Sequence, residues 1–356
     1  MGIMGNIKFL LAFLLIAIVA NGCWEEERSA LLDLQTNIMS SNGKLLVDWA
    51  GYNANGFIDC CFWKKVKCNL ATGRVIKLDL AARYGSGDDW RFNASLFLPF
   101  KSLQVLLLSN RNITGFSKLR QLPNLKEVDL QYNPIHPKVL LSSLCSISSL
   151  EVLKLGVEVG TSFSIPTAYN SSDGGNSGLR NLEKLNLNYN NFNSTIFSSL
   201  KVFPSLKHLE LVENKINGNI KMNDIIALSN LKHLDLRGNN IESFVTTKGI
   251  KRMSSLRNLQ LGSHNSNSSR AIQSLKPFSS LKSLSYENSD LTALTTVYTL
   301  RNLSTLEYLY LTGSSLNDNF LANIGQMTSL KVFSIAFGDN NGTLPNQGTL
   351  FFSSFF

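Results

Sequence analysis

Four side chains of this chain have the types and the spacing for shared chemistry. His208 and His233 lie in two copies of Leu-Lys-His-Leu, and Glu210 and Asp235 follow them by two positions. Two imidazoles beside two carboxylates would titrate near pH 6 or bind a metal ion. The simpler interpretation is that all four are ordinary surface residues. Because the chain has no G-x-S-x-G, no H-E-x-x-H and no phosphate-binding loop, we expect it to be no enzyme and to need no cofactor.

Four of the five cysteines lie close together near the amino terminus: Cys23, Cys60, Cys61 and Cys68. In an oxidising compartment this clustering predicts two disulfides. The adjacent Cys60 and Cys61 need separate partners, and we favour Cys23–Cys60 with Cys61–Cys68 because the second pair closes a short local loop. A zinc site is the rival interpretation. Cys145 is left over, and we expect it to be a small buried hydrophobe.

A leucine recurs at a nearly fixed interval through most of the chain, in segments that read L-x-x-L-x-L. The first leucines of these segments fall at positions 103, 125, 150, 182, 206, 231, 256, 281, 306 and 330. This period is typical of leucine-rich repeats. We therefore predict an α/β leucine-rich repeat solenoid over residues 71–348, in about 11 repeats. Its curved parallel β-sheet would have short helical or 3-10 turns on the convex side.

Within each repeat, the last two leucines alternate with an outward residue, which is the period of a β-strand. A second apolar column, such as Phe97 and Phe100, stands six and three residues before the first leucine. Its spacing suits a helical turn that closes the core. The ninth position favours asparagine, whose amide can satisfy backbone groups where the strand turns. It is occupied in this way by Asn133, Asn190, Asn214 and Asn239.

Residues 23–70 have the features of a cap for the solenoid. Ala30, Leu31, Leu34 and Ile38 have the spacing of a short amphipathic helix. A helix stapled by disulfides would cover the open apolar end of the first repeat, which nothing else buries.

The cap resembles that of the plant leucine-rich repeat receptor-like proteins. The resemblance rests on Glu27-Arg-Ser-Ala-Leu-Leu, Trp49, Asp59-Cys-Cys-Phe-Trp63 and Thr72-Gly-Arg-Val-Ile-Lys-Leu-Asp-Leu80. Lys65 stands where the family usually has glycine. The resemblance implies extracellular recognition, in defence or development, of a peptide, glycan or protein on the concave face, with a co-receptor kinase as signalling partner. The alternatives are a secreted inhibitor of a cell-wall-degrading enzyme and a non-functional receptor fragment.

Residues 1–22 predict a secretory signal peptide. Lys8 is their only charge, and the apolar run from Phe9 to Ala20 is short for a membrane span. No other segment is apolar and long enough to cross a bilayer, so we expect secretion to the apoplast. The family's members typically carry a membrane span, so a full-length product with that span would reach the plasma membrane. Residues 349–356 form an apolar tail, which we interpret as the end of a truncated product.

The net charge of +9 is spread without a Lys/Arg run, so we expect no nucleic-acid partner. Basic residues from Lys207 to Lys282 favour an acidic ligand. Exposed tyrosines are common in binding hot spots. The candidate ligand contacts on the concave face are Lys184, Tyr189, His208, Glu210, His233, Asp235, Arg237, Arg257, Tyr308 and Tyr310.

Secretion makes each Asn-x-Ser/Thr sequence a candidate for N-glycosylation. The candidates are Asn93, Asn112, Asn170, Asn193, Asn267, Asn302 and Asn341.

Overall fold

The computed structural model of the chain describes residues 23–39, 49, 52–53, 56–57, 59–82, 93–113, 121–134, 144, 147–156, 179–246, 253–263, 269–288, 291, 294–336 and 340–341. The predicted signal peptide, Cys145, Asn170, Asn267 and the tail at 349–356 lie outside these residues. The chain divides into unit 1, residues 1–154 with 176–179, and unit 2, residues 155–175 with 180–356.

Unit 1 begins with the cap. Its elements are helix α1 (Glu25–Met39), strands β1 (Tyr52–Asn53) and β2 (Gly56–Phe57), a 3-10 turn (Cys60–Phe62) and strand β3 (Val66–Cys68). The predicted amphipathic helix is confirmed, since α1 buries Ala30, Leu31, Leu34 and Ile38. The Trp49 indole stacks on Trp63 with ring centroids 6.0 Å apart, and its Nε1 donates to the Lys64 carbonyl at 2.8 Å.

The repeats of unit 1 contribute strands β4 (Val75–Asp79), β5 (Val105–Leu107), β6 (Glu127–Asp129) and β7 (Val152–Lys154), with a 3-10 turn at Ala94–Phe97. Strand β3 pairs antiparallel with β4, and β4 to β7 then pair in parallel. The register places Leu78, Leu106, Val128 and Leu153 in one buried column. The alternation of leucine and polar residues therefore gives the predicted parallel sheet.

Unit 2 repeats the same arrangement. Its strands are β8 (Lys184–Asn186), β9 (His208–Glu210), β10 (Asn217–Lys221), β11 (His233–Asp235), β12 (Asn240–Val245), β13 (Asn258–Gly262), β14 (Ser283–Glu287), β15 (Tyr308–Thr312), β16 (Leu316–Asn317), β17 (Val332–Ala336) and β18 (Asn340–Asn341). Strands β8, β9, β11, β13, β14, β15 and β17 pair in parallel as one sheet. Two shorter parallel pairs, β10 with β12 and β16 with β18, lie apart from that sheet.

Short helices return the chain from one strand of unit 2 to the next. They are α2 (Ile196–Ser199), a 3-10 turn (Leu200–Val202), α3 (Met222–Ile226), α4 (Ser269–Gln273), α5 (Leu294–Arg301) and α6 (Asp318–Ile324). The predicted second apolar column lies in or beside them: Leu200, Ile225, Leu275, Phe278 and Ile324 are buried. These observations confirm a leucine-rich repeat solenoid.

Asparagines at the ninth position bind the backbone between neighbouring repeats, as predicted. The Asn239 amide nitrogen donates to the carbonyls of Leu211 at 2.8 Å and Leu236 at 3.0 Å, and its oxygen accepts from the Ile216 amide at 3.1 Å. Asn133, Asn190 and Asn214 make equivalent bonds. The same position holds Arg111 in an earlier repeat, where the buried guanidinium donates to the Leu80 carbonyl.

None of the helices in the described residues has the length and apolar character needed to span a lipid bilayer.

Candidate recognition surface

The cap cysteines form two disulfides, Cys23–Cys60 and Cys61–Cys68, each with its Cα atoms 5.4 Å apart. The Asp59 carboxylate accepts hydrogen bonds from the Cys23 amide at 2.7 Å and the Cys61 amide at 3.0 Å, so it holds the two bridges together. Cys23, Asp59 and Cys60 lie close enough to surround a metal ion. Cysteine binds a metal ion as a thiolate, however, and the sulfur atoms of a disulfide are not thiolates.

All ten predicted ligand contacts belong to unit 2, where alternate strand residues point away from the core. The register aligns these outward strand residues in two rows, which we call the outward face, and Tyr189, Arg237 and Arg257 lie outside both rows. The first row is Lys184, His208, His233, Asn258, Ser283, Tyr308 and Val332. The second row is Asn186, Glu210, Asp235, Gln260, Ser285, Tyr310 and Ser334.

The two histidines meet on the outward face as their spacing predicts. Their rings stack with centroids 5.8 Å apart and planes at 29°. Partial burial, then the charges of His233 and Lys184, lower the pKa of His208 below its usual 6.5. In the part of the chain that the structure describes, only the Cys23 group meets the geometry for a shared metal ion, so these histidines and their carboxylates do not.

The carboxylates beside the histidines are held by neighbouring side chains. Glu210 accepts from the amides of Asn186 at 2.5 Å and Asn188 at 3.1 Å. Asp235 is only 4% exposed because the Arg237 guanidinium covers it with two parallel hydrogen bonds, Nε–Oδ1 at 3.0 Å and Nη2–Oδ2 at 2.8 Å. Charge-assisted pairs of this geometry are strong. Asp235 was predicted as a surface contact, but the structure makes it a buried anchor for Arg237.

Arg237 also spans two repeats. Its Nη1 lies 3.2 Å from a Glu287 carboxylate oxygen, across strand β13. The residue between them is Gly262, where a Cβ would come within 2.6 Å of the Glu287 Cβ. Hydrogen bonds to Asp235 and Glu287 raise the pKa of Arg237 above its already high value. Glu287 and Gly262 were not among the predicted contacts, although each follows the second-row residue of its own repeat by two positions.

Two lysines of the basic block expected to attract an acidic ligand are paired with carboxylates. Lys207 pairs with Glu183, and Lys282 lies 2.7 Å from Glu307. Glu307 also contacts Lys331 at 2.7 Å, and these two lysines lower its pKa to about 2. The Arg257 guanidinium donates to the backbone carbonyls of Ser254 at 2.7 Å and Leu256 at 3.3 Å, and so lies beside strand β13 and not in its outward rows.

The tyrosines are the large exposed groups of this surface. Tyr310 is 38% exposed in the second row, and Tyr308 precedes it in the first row, partly buried. Tyr189 is 43% exposed at the turn after β8, with its backbone in the left-handed region at φ 58°. The same position of other repeats also has positive φ. It holds asparagine or glycine at positions 110, 238, 288 and 313, but Tyr132 and Glu213 in two further repeats.

Four predicted glycosylation sites have exposed side chains in the structure: Asn93, Asn112, Asn193 and Asn302. None of them is on the outward face. The backbone of Asn341 lies in β18.

Comparison with known proteins agrees with this geometry. The Leucine Rich Repeat family matches residues 181–203, and a second family described as Leucine Rich repeat matches residues 227–243. Among solved structures, an internalin from Listeria monocytogenes aligns over 74% of this chain and 70% of its own, with a TM-score of 0.53 and 21% identity. The Arabidopsis receptor kinase HAESA, in complex with the peptide hormone IDA and the co-receptor SERK1, aligns over 89% of this chain and 46% of its own, with a TM-score of 0.51 and 21% identity. At this identity, both show the fold alone.

Proteins related by sequence have a higher identity to this chain. Cuscuta receptor 1 of Solanum lycopersicum is 70% identical over 97% of this chain, which spans 34% of that protein's length. Receptor-like protein 9b of Arabidopsis thaliana is 36% identical over 48% of this chain and 17% of its own. The repeats, the stapled cap and these relatives agree, and the chain belongs to the plant leucine-rich repeat receptor-like proteins.

Proposed function

We propose that this chain supplies a ligand-recognition surface of an extracellular receptor-like protein. The outward face of unit 2 supports this function, because Tyr308, Tyr310 and the stacked histidines lie on a parallel sheet that packs on a buried leucine core. Exposed aromatics on a rigid scaffold are common features of protein binding sites. The chain acts in this account by binding and carries out no reaction.

The partners that we propose are an extracellular ligand, which is a peptide, a glycan or a protein, and a co-receptor kinase. HAESA, which shares the fold, was solved with a peptide hormone and the co-receptor SERK1. Secretion follows from the predicted signal peptide, and the two cap disulfides support an oxidising compartment. Within unit 2, the sequon asparagines with exposed side chains, Asn193 and Asn302, are not residues of the outward face. We propose a role in defence or developmental signalling.

A chimeric receptor tests this proposal. The matching third of Cuscuta receptor 1 is replaced by this chain, and the chimera is expressed in plant tissue that lacks the receptor. The tissue is then treated with a Cuscuta extract, and the response is compared with that of tissue expressing the intact receptor. We expect the chimera to reach the cell surface and to respond. A chimera that reaches the surface without responding would contradict the proposal.

A further inference from the structure

The outward face of unit 2 has an uncharged half. On strands β13, β14 and β15 the outward residues of both rows are Asn258, Gln260, Ser283, Ser285, Tyr308 and Tyr310, which we call the neutral patch. The register sets Ser283 beside Tyr308 and Ser285 beside Tyr310, so short side chains border the tyrosines on this side. With strands about 4.8 Å apart, the patch measures roughly 10 Å across the strands and roughly 7 Å along them.

The side chains of the neutral patch retain their hydrogen-bonding capacity. Among the described residues, none of these six makes a side-chain hydrogen bond within the protein. Asn258 and Tyr310 are exposed, and the other four are partly exposed. Serine and tyrosine hydroxyls and the two amides each offer both a donor and an acceptor. The charged half of the same face differs, because Glu210 is already bonded to Asn186 and Asp235 to Arg237.

Charges frame the neutral patch but are compensated among themselves. On one border Arg237 binds Glu287 at 3.2 Å, and on the other Glu307 lies between Lys282 and Lys331, at 2.7 Å from each. An ionic ligand would therefore have to compete with existing ion pairs. A ligand without charge keeps them intact.

We propose that the neutral patch binds a neutral carbohydrate chain, either free or attached to a peptide. A sugar ring has an apolar C–H face that stacks on a phenol ring and a rim of hydroxyls that both donate and accept, which matches this set of side chains. An extended peptide would find no free backbone partners on these inner strands, because their backbone groups already bond one another. The proposal rests on the proposed function, because it names a ligand class for the same surface.

Calorimetric titration of the purified secreted chain tests the assignment. The probes are a neutral hexasaccharide of β-linked glucose, a hexagalacturonate that carries one carboxylate per ring, and a peptide bearing a neutral glycan with its deglycosylated form. We expect saturable binding of the neutral sugar, the glycopeptide or both, and weaker binding of the acidic sugar. Tyr310→Ala should raise the Kd at least about fivefold. Tyr310→Phe, which keeps the ring, should lose less.

Tyr298→Ala is the matched control, because Tyr298 is 58% exposed on helix α5, outside the outward face. Circular dichroism and thermal unfolding establish that every variant is folded. No saturable binding of either neutral glycan at millimolar concentration, or equal effects of Tyr310→Ala and Tyr298→Ala, would overturn the carbohydrate assignment. Equal Tyr310-dependent binding of the deglycosylated peptide would also overturn it, while leaving the recognition function in place.

Discussion

At the scale of single residues, the tyrosine at the turn after β8 keeps an unfavourable backbone conformation. Tyr189 has φ 58°, and a bulky L-residue in this region is strained where asparagine is tolerated. We therefore expect Tyr189→Asn to raise the free energy of unfolding by an amount on the order of 1 kcal/mol. Urea unfolding measures it. Tyr310→Asn is the control, since Tyr310 lies within a regular strand, and a loss of stability in Tyr189→Asn would refute the strain.

Another residue-scale prediction concerns Glu27 of helix α1, whose side chain is completely buried. It accepts from the Val75 amide at 2.9 Å and pairs with Arg74 at 3.4 Å. Burial outweighs these contacts and raises the pKa of Glu27 above its usual 4.5. The folded state thus binds the proton more tightly, and the stability from Glu27 is fully present below pH 4.5 and lost as the pH rises through the raised pKa.

Glu27→Gln removes this titration and keeps an acceptor for Val75. Unfolding curves in urea from about pH 4 to pH 7 should show wild type losing stability relative to the variant as the pH rises. Glu26→Gln is the matched control, because the Glu26 side chain is 60% exposed. Parallel pH profiles for wild type and Glu27→Gln would exclude a raised pKa.

At the scale of elements, the asparagines of the ninth position connect one repeat to the next. Asn239→Ala would leave the carbonyls of Leu211 and Leu236 and the Ile216 amide without their partner in a buried turn. Unsatisfied buried backbone groups are costly, so we expect a loss of about 2–4 kcal/mol in the free energy of unfolding. Asn240→Ala, at the exposed next residue, should change it by less than about 0.5 kcal/mol. Similar losses for both variants would show that the hydrogen bonds of the ninth-position asparagine contribute little.

The elements were the most predictable part of this protein. The L-x-x-L-x-L period alone placed Leu209 and Leu234 in the core and the two histidines on adjacent strands, because strand alternation and a fixed repeat length determine both. Pairing between side chains of different repeats was harder to predict from the sequence. Arg237 reaches Glu287, 50 residues away, only because Gly262 leaves room between them, and no local pattern encodes such a bridge. The pairing of Lys207 with Glu183, from the neighbouring repeat, was likewise not predicted.

At the scale of the whole molecule, the oxidised cap and the predicted signal peptide make a joint prediction. The secreted chain should begin at Cys23 and, because two disulfides use four of its five cysteines, show one thiol after unfolding without reductant. Mass spectrometry of the amino terminus and thiol titration in denaturant measure these properties. Retention of residues 1–22, or more than one free thiol in the secreted product, would contradict this account.

We propose that the outward face of unit 2 is the recognition surface. Its most direct test is the dose–response curve of the chimeric receptor carrying Tyr310→Ala, compared with Tyr298→Ala at equal surface expression. Both tyrosines are exposed, but only Tyr310 lies on the outward face. We predict that Tyr310→Ala shifts the half-maximal dose upward by at least about fivefold while Tyr298→Ala leaves it unchanged. Identical curves for the two variants would contradict the claim.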